Sequence, residues 1–303
     1  MPRRGRVLSS VVVILGLSAL LSACAAESDA RLPVTLPAKN LETWAMPLDG
    51  YSKSESQTQA ESYADRVQDH HCMTAAGFEY PISWEPTTIP PSRTFTGYGT
   101  KLFSLSIAQQ FGYHPEPSDD TLSQDLRKNE DRANQLVKGP QWEKQFHECV
   151  DESRKGPLAR ARDPQNYNGL WIDVSQSVRK SDELRGLAAK WRECMVKVGV
   201  PDLPDTPDDM PTESMKRQFL AEPAVVDSGA SQRELEVAVA DATCQNSTGY
   251  VRTLYDRMWD GQVKVLREHL DELEAGKRLI EKNAERAAKV IDLYAPPAPA
   301  NSP

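Results

Sequence analysis

The sequence predicts a mostly α-helical protein, with disulfide-stapled helices, long Pro-rich loops and a long C-terminal helical segment. The first observation is that apolar residues recur three or four positions apart in several segments, which is the spacing of one helix face. The second is a set of four cysteines downstream of the N-terminal region. The third is the presence of 22 prolines among 303 residues, which indicates much irregular connecting chain. No segment shows a convincing strand pattern.

The first 23 residues carry the features of an export signal. Arg3, Arg4 and Arg6 provide a charged start, an apolar run occupies residues 7–21, and small residues follow it. With Cys24 directly after Leu-Ser-Ala, this stretch resembles the lipobox of bacterial lipoproteins. The resemblance implies that residues 1–23 are a lipoprotein signal peptide. It also implies that Cys24 becomes the lipidated, palmitate-bearing first residue of the mature chain.

Two alternatives for this stretch stay open. One is a retained transmembrane anchor, although an apolar run of about 15 residues is shorter than the roughly 20 that cross a bilayer. The other is a plain secretory signal that is cut at Ser22-Ala23 without lipid. Export is expected for a signal of either kind, so the folded part is predicted to be extracytoplasmic. In the lipoprotein interpretation it is anchored to the cell membrane through Cys24.

Composition limits the partners that the protein can bind through charge. The net charge is −8, and removing residues 1–23, which hold three arginines and no acidic residue, takes it to −11. Nucleic acid and anionic lipid both require a positive field, so neither is a predicted partner through bulk charge. A hydrophobic content of 39% is low for a globular chain and predicts a thin core.

Four cysteines follow Cys24, and they are Cys72, Cys149, Cys194 and Cys244. An even number in an exported chain predicts two disulfides, for which three connectivities are possible. We favour Cys72–Cys149 with Cys194–Cys244, because each bond then ties one half of the chain. Closing loops of this length disfavours the unfolded state by about 4 kcal/mol each in the chain-entropy description.

The chain divides into a tether, a folded part and a tail. Residues 24–52 contain prolines and lack helical or strand periodicity, so they are predicted to be a tether between membrane and folded part. A helical domain is predicted over residues 53–294, either as one body or as two stapled halves, 53–155 and 177–294. Residues 295–303 have nothing to bury and are predicted to be disordered.

Four helices are predicted in the first half: Ser54 to about Gly77, residues 102–111, Thr121 to about Val137, and Gln141 to Arg154. Each has apolar residues at helical spacing or a capping residue at its start. Residues 78–99 include four prolines, and residues 156–180 show no strong pattern. Both stretches are therefore predicted to be irregular connectors.

Two helical segments are predicted in the second half. Ser181 caps a clear amphipathic helix, after which residues 201–229 are Pro-rich, acidic and predicted to be irregular. Ser231 and Glu234 then form a capping box for a helical pattern that continues to Leu293. The candidate breaks in this pattern are Gly249, Gly261 and Gly276. One rod and two or three packed helices both fit the spacing.

A short motif, Cys-Met-x-x-x-Gly, occurs twice, at Cys72 to Gly77 and at Cys194 to Gly199. Other notable stretches are Tyr98-Gly99, residues 111–114, Cys149, residues 191–195 and residues 234–244. Together these features are similar to a set of exported actinobacterial proteins of unestablished function, many of them lipoproteins, with four further cysteines. The similarity covers most of residues 60–290, and it departs at Glu148, where a glycine is expected. It implies a helical, disulfide-stapled fold and no enzyme activity.

Histidines lie beside two of the cysteines, as His70-His71-Cys72 and His147-x-Cys149. Imidazole and thiolate are ligands that suit zinc or copper. The alternative is a disulfide with incidental surface histidines. The other two cysteines have no histidine near them and still form an even set, so the simplest interpretation treats both pairs as disulfides. No metal and no cofactor is predicted.

Motifs for catalysis are missing from the sequence. It contains no G-x-S-x-G elbow, no Gly-rich phosphate loop and no H-E-x-x-H zinc motif. Carboxylate pairs such as Asp119-Asp120 and Asp208-Asp209 are expected by chance among 44 acidic residues, and they are typical of solvated acidic loops. No catalytic residue is predicted.

Aromatic residues and prolines concentrate in the first half, as Tyr80, Trp84, Phe95, Tyr98 and Tyr113 with Pro81, Pro86, Pro90 and Pro91. Their flat apolar faces suit a surface that binds sugars or peptides. The alternative, which we favour, is that these rings pack the loop onto helices in a thin core.

These observations favour a lipid-anchored cell-envelope protein that acts through protein or cell-wall contacts and is not an enzyme. The membrane, through Cys24, and an envelope protein or the cell wall are its predicted partners. A cell-wall hydrolase that uses loop carboxylates is one alternative. A solute receptor of a transporter is another, and it usually calls for two α/β lobes.

Overall fold

The computed structural model describes residues 34–88, 90, 92–94, 104–115, 128, 131–136, 138–156, 158–161, 166–220 and 229–298. Residues from Leu36 onward belong to one unit and Met1–Thr35 to another. The predicted signal peptide, the predicted lipidation site Cys24, and the candidate residues Phe95, Tyr98 and Asp119-Asp120 lie outside the described residues. So do Pro91 and most of the predicted helix from Thr121 to Val137.

Helices dominate the described residues, which confirms the predicted fold class. They are α1 (Glu55–Ala75), α2 (Leu105–Phe111), α3 (Pro140–Ser153), α4 (Asn166–Arg179), α5 (Asp182–Met195), α6 (Glu213–Phe219), α7 (Gln232–Thr248) and α8 (Tyr250–Tyr294). Residues 131–135 are helical as well. In this part of the chain, β-structure is limited to one isolated bridge between Asn40 and Ala45.

Serine side chains begin several of these helices at the predicted positions. Ser54 Oγ accepts a hydrogen bond from the Gln57 backbone, and the Gln57 side chain accepts one from the Ser54 backbone, so α1 starts with a complete capping box. Ser181 Oγ accepts from the Leu184 backbone at the start of α5. These bonds satisfy backbone N–H groups that have no partner inside the helix.

Two stretches predicted to be irregular contain helices. Within residues 156–180 the structure has α4, whose Trp171, Val174 and Val178 pack against the core at helical spacing. These three residues form a narrow apolar stripe, and the polar residues between them made the stripe hard to recognise in the sequence. Within residues 201–229 the structure has α6, which buries Met215 and Phe219 one turn apart. At seven residues, α6 is too short to show a clear period.

The C-terminal helical segment is two helices. Gly249 adopts a left-handed conformation with φ +78° and ends α7, whereas Gly261 and Gly276 lie inside α8. A local departure from helical geometry in α8 occurs at His269, with φ −127°. The two- or three-helix alternative therefore describes the segment better than a single rod. None of the helices in the described part combines the length and apolar composition needed to cross a membrane.

Helix α8 carries much of the core. Its first half packs Leu254, Met258 and Trp259 against α4, α5 and the segment before α1. Its last turns pack Ala287 and Val290 against buried residues of α1. Helix α1 belongs to the first stapled half and α8 to the second, so the two halves share this part of the core.

The predicted tether, residues 24–52, is partly buried where the structure describes it, and its residues 44–48 pack into the core. Trp44, Met46 and Leu48 are 2%, 0% and 0% exposed, and all lie in the core. The hydroxyl of Tyr255 in α8 accepts from the Asn40 backbone at 2.9 Å and donates to the Ala45 carbonyl at 2.7 Å. The apolar residues here follow neither helical nor strand spacing, so no periodic pattern revealed their burial.

Both disulfides have the predicted pairing and join helices. Cys72–Cys149 ties the end of α1 to α3 with a Cα–Cα distance of 5.7 Å, and Cys194–Cys244 ties α5 to α7 at 5.8 Å. Both distances are in the usual range for a disulfide. The methionine that follows the first cysteine of each pair, Met73 or Met195, is fully buried behind the bond.

Candidate ligand pocket beside the first disulfide

Three aromatic rings lie nearly parallel next to Cys72–Cys149. Trp142 and Phe146 are one turn apart on α3, with ring centroids 5.3 Å apart and planes 18° apart. Tyr80, from the loop after α1, places its centroid 6.2 Å from Trp142 and 5.9 Å from Phe146, with interplanar angles of 10° and 13°. Such offset-stacked arrangements are favourable between aromatic rings. We call these three residues the aromatic cluster.

The first disulfide and two contacts to the backbone hold the aromatic cluster in place. The bond fixes the end of α1 to α3, the helix that carries Trp142 and Phe146. The Trp142 indole Nε1 donates to the Glu79 carbonyl at 3.1 Å, and His70 Nδ1 lies 2.5 Å from the Tyr80 carbonyl oxygen. The loop after α1 is thus attached to both helices that the disulfide joins.

A pocket of about 470 Å³ opens beside the aromatic cluster. Its apolar and aromatic lining is Tyr80, Pro81, Ile82, Ala133, Leu136 and Trp142, and its polar lining is Arg66, Ser83, Glu85 and Lys138. Small-molecule sites usually have volumes of about 300–1,000 Å³ and combine mostly apolar walls with a few polar groups. This pocket has the size and composition of such a site.

Charged side chains of both signs lie around the pocket. Glu85 is buried, and its Oε2 accepts from Gln59 Nε2 at 2.7 Å and from the Arg66 guanidinium. The Lys138 ammonium lies 5.2 Å from the Trp142 ring centroid, a cation–π distance. Burial, followed by the negative charge of Asp69, raises the pKa of Tyr80, so its hydroxyl stays protonated at neutral pH.

A second, more polar cavity of about 320 Å³ lies on another side of α1. Among its lining residues are Glu61, Asp65, Arg154 and Arg160, and Arg160 forms ion pairs with both Glu61 and Asp65. Burial and the neighbouring charge of Asp65 raise the pKa of Asp69 to about 6, although Arg154 acts in the opposite direction. Asp69 therefore titrates nearer to neutral pH than an ordinary aspartate.

A buried polar network lies in the same part of the core as the second disulfide. Asp241, fully buried on α7, accepts from Trp191 Nε1 at 2.8 Å and from the Tyr113 hydroxyl at 3.0 Å. Glu234 accepts from the Tyr113 backbone at 2.9 Å, and His114 Nδ1 lies 2.8 Å from the same oxygen. Burial and Asp241 raise the pKa of Tyr113 well above its ordinary value. Both oxygens of Asp241 are hydrogen-bonded, whereas Glu234 Oε2 and His114 Nε2 are buried without a hydrogen-bond partner among the described residues.

The role of Glu234 differs from the predicted one. Ser231 Oγ accepts from the Glu234 backbone as expected for a cap. The Glu234 carboxylate, however, turns to Tyr113 and His114, so half of the predicted capping box is replaced by a contact to the α2 end. Gly112 makes this approach possible, because a Cβ on it would lie 2.8 Å from Glu234 Oε1.

The structure separates the aromatic residues that the sequence grouped. Tyr80 and Pro81 line the pocket, whereas Trp84 is half-buried outside the pocket lining. Tyr113 is buried in the part of the core that contains the second disulfide. Trp142 and Phe146 are four positions apart, a spacing that places them on one face of a helix. Nothing in their spacing showed that this face meets Tyr80, which lies 62 positions before Trp142.

The histidines near the first disulfide make separate contacts. His70 contacts the Tyr80 carbonyl, His71 stacks on Tyr294 with centroids 4.0 Å apart, and His147 is exposed. Among the described residues, no group of three His, Cys, Asp or Glu side chains is arranged to hold a metal ion. In the pair Asp208-Asp209, Asp208 accepts from the Tyr250 hydroxyl at 2.8 Å and pairs with Arg179, so it has a structural role.

Comparison of the chain with protein-family models, with curated proteins and with solved structures found no match. The geometry of the pocket and the sequence pattern are therefore the basis for a functional proposal.

Proposed function

We propose that this is a non-enzymatic binding protein of the cell envelope, anchored to the membrane through a lipid on Cys24. Its ligand, an envelope protein or a component of the cell wall, occupies the pocket beside the aromatic cluster. The lipobox-like stretch ending at Cys24 supports the anchor. Two disulfides support an oxidising location, because such bonds persist mainly outside the cytosol.

The observation that carries the proposal is the pocket of about 470 Å³ next to a covalently fixed aromatic cluster. Near the second disulfide, Trp191 and Tyr113 are almost fully buried and hydrogen-bonded to Asp241. Beside the first disulfide, in contrast, Tyr80 is half-exposed and lines an open pocket. Preformed concave sites with few polar groups are typical of ligand binding.

The test is retention of the purified protein on isolated cell walls, together with cross-linking in intact cells. Ala133 lines the pocket, and Ala133→Phe is expected to fill it and to abolish retention or cross-linking. Asn134→Phe is the control, because Asn134 is exposed on the same short helical stretch and is not in the lining. No retention and no cross-linked partner for the unmodified protein would contradict the proposal. Full retention of Ala133→Phe would contradict the assignment of the pocket.

A cell-wall hydrolase is the second candidate, and Asp69 is the observation that favours it. A carboxyl group with a pKa of about 6 can exchange a proton near neutral pH, as general acid–base catalysis requires. Zymography on cell-wall substrate separates the two candidates. A cleared band that disappears in Asp69→Asn supports the hydrolase, and the absence of a cleared band contradicts it.

A solute receptor of a transporter has no support in the described residues. That role usually requires two α/β lobes, and the described residues contain one isolated β-bridge.

A further inference from the structure

The pocket combines flat apolar walls with hydrogen-bonding groups of both kinds. Tyr80, Ile82 and the small exposed part of Trp142 provide apolar surface, whereas Arg66 and Lys138 can donate hydrogen bonds and Glu85 can accept them. A ligand that matches this lining needs an apolar face, hydroxyl or amide donors, and acceptors. A pyranose ring has all three, because its C–H face is apolar and its hydroxyls both donate and accept.

Glu85 narrows the choice of ligand. Both of its hydrogen bonds, from Gln59 and from Arg66, end on Oε2, and no described donor contacts Oε1. A polyproline segment has no backbone N–H and an acyl chain has no donor at all, so neither offers Oε1 a partner. Sugar hydroxyls do, as do ordinary peptide N–H groups. A saccharide is the better match, because one ring combines a flat apolar face with hydroxyls that donate and accept.

The charge of the lining points to an acidic saccharide. Two cations, Arg66 and Lys138, face one carboxylate, Glu85, so the lining is net positive in a chain whose net charge is −8. The adjacent Arg132 and Glu79 pair with each other, and Asp69 adds a negative charge near the Tyr80 hydroxyl. Arg66 is already paired with Glu85, whereas Lys138 is exposed at the Trp142 edge of the pocket. Lys138 is thus placed to meet a negative group on the ligand.

We infer that the pocket binds a sugar ring that carries a carboxylate, with the ring against Tyr80 and Trp142, hydroxyls at Glu85 and the carboxylate at Lys138. Lactyl-bearing amino sugars of the cell wall have this chemistry. The inference rests on the proposed function, and it names the ligand class of the same pocket.

The experiment is a titration of the full-length protein in detergent micelles with two sugars that differ by one lactyl group. N-acetylmuramic acid carries the carboxylate and N-acetylglucosamine does not. The probe is the indole N–H signal of Trp142 in protein with ¹⁵N-labelled tryptophan, identified by its loss in Trp142→Phe. Both sugars are expected to shift this signal, and the acidic sugar is expected to bind about two- to fivefold more tightly, as for an exposed ion pair.

The matched variants are Lys138→Gln and Lys144→Gln. Lys144 is an exposed lysine of α3 that pairs with Glu148 at 3.8 Å and lies outside the lining. Lys138→Gln is expected to remove the preference for the acidic sugar, and Lys144→Gln to leave it unchanged. Equal affinity for the two sugars, no shift with either sugar, or an unchanged preference in Lys138→Gln each overturns the inference.

Cell-wall retention of the same protein sample separates this inference from the proposed function. One outcome is that Ala133→Phe abolishes cell-wall retention but neither sugar shifts the Trp142 signal. This outcome overturns the acidic saccharide as the ligand class and still supports the envelope-binding function. If the unmodified protein shows neither cell-wall retention nor a cross-linked partner, both the inference and the proposed function are overturned.

Discussion

At the scale of single residues, Asp69 shows how burial sets the chemistry of a side chain. It lies half-buried on α1, close to Asp65 and opposite Arg154. Loss of hydration disfavours its charged form, and the repulsion from Asp65 adds to this effect. The pKa of Asp69 rises from 3.8 to about 6 as a result.

This raised pKa predicts a pH dependence of stability. The folded state holds the Asp69 proton more tightly than the unfolded chain does. The stabilisation that comes from binding this proton is therefore fully present below pH 4. It is lost as the pH rises through about 6. Between pH 4 and pH 7, the free energy of unfolding of Asp69→Asn is expected to rise by about 1 kcal/mol relative to that of the unmodified protein. This value is reduced because Asp69 is partly exposed. Urea denaturation at several pH values measures this difference.

An NMR titration of the Asp69 carboxyl carbon provides the direct check. A midpoint near pH 6 is expected, and Asp65→Asn is expected to lower the pKa of Asp69 because it removes the neighbouring negative charge. A midpoint near 4, or an identical stability profile for Asp69→Asn and the unmodified protein, would contradict the assignment.

At the scale of secondary-structure elements, the close approach of α4 and α8 depends on a glycine. A Cβ on Gly261 in α8 would lie 2.6 Å from Val174 Cγ1 in α4. Valine is β-branched and stiff at χ1, so it cannot easily turn away. Gly261 was considered a candidate helix break, but its role is to let a second helix come near.

Two glycine-to-alanine changes are predicted to have opposite effects. Gly261→Ala gains helix propensity of up to about 1 kcal/mol but overpacks the α4–α8 contact by about 1–3 kcal/mol, so it is expected to destabilise the fold. Gly186→Ala in α5, where no atom lies within 4 Å of the added Cβ, is expected to stabilise the fold by about 0.5–1 kcal/mol. Urea denaturation of both variants gives the comparison.

The same Gly261→Ala change in a protein that also carries Val174→Ala tests whether the contact with Val174 causes the destabilisation. In Val174→Ala the obstructing methyl groups are gone, and Gly261→Ala is then expected to be neutral or stabilising. If Gly261→Ala behaves like Gly186→Ala in the native background, the two helices do not meet as described.

The elements that the sequence predicted correctly have strong local signals. Ser54 and Ser181 mark helix starts through side-chain caps that depend on residues three positions away. Helix α4 and the segment 36–51 were missed because their burial depends on α8, more than 70 positions later in the chain. Local periodicity carries no information about such distant partners.

At the scale of the whole molecule, two disulfides secure a chain with little apolar material. Their cysteines are 77 and 50 positions apart, and cross-links of this span stabilise the folded state by about 4 kcal/mol each in the chain-entropy description. The net stability of a domain is typically about 5–15 kcal/mol. Each bond therefore supplies a substantial part of it.

The site was only partly visible from the sequence for the same reason. The pairing of Cys72 with Cys149 followed from the even number of cysteines and the division of the chain into halves. The pocket could not be predicted in this way, because Arg66, Tyr80 and Trp142 come from separate elements that the fold brings together. Aromatic composition left a sugar or peptide surface open as the less favoured alternative, and among the described rings of that set the structure places Tyr80 in the pocket lining.

Removing each disulfide separately is predicted to affect function differently. Cys72→Ser with Cys149→Ser and Cys194→Ser with Cys244→Ser are each expected to destabilise the protein by about 4 kcal/mol, measured by urea denaturation. At a temperature where both variants remain folded, the first is expected to lose cell-wall retention, since the aromatic cluster depends on Cys72–Cys149. The second variant is the matched control and is expected to keep it. Equal retention by the two variants would contradict the link between this bond and the pocket.

The central claim is that an exported, lipid-anchored helical chain is secured by two internal disulfides. An intact mass with a free-thiol count, made on protein extracted from its own membranes, tests this claim most directly. The expected result is a chain that begins at Cys24 with added acyl mass, no reactive thiol before reduction and four after it. A chain that retains residues 1–23, lacks acyl mass and shows four reactive thiols without reduction would contradict the claim.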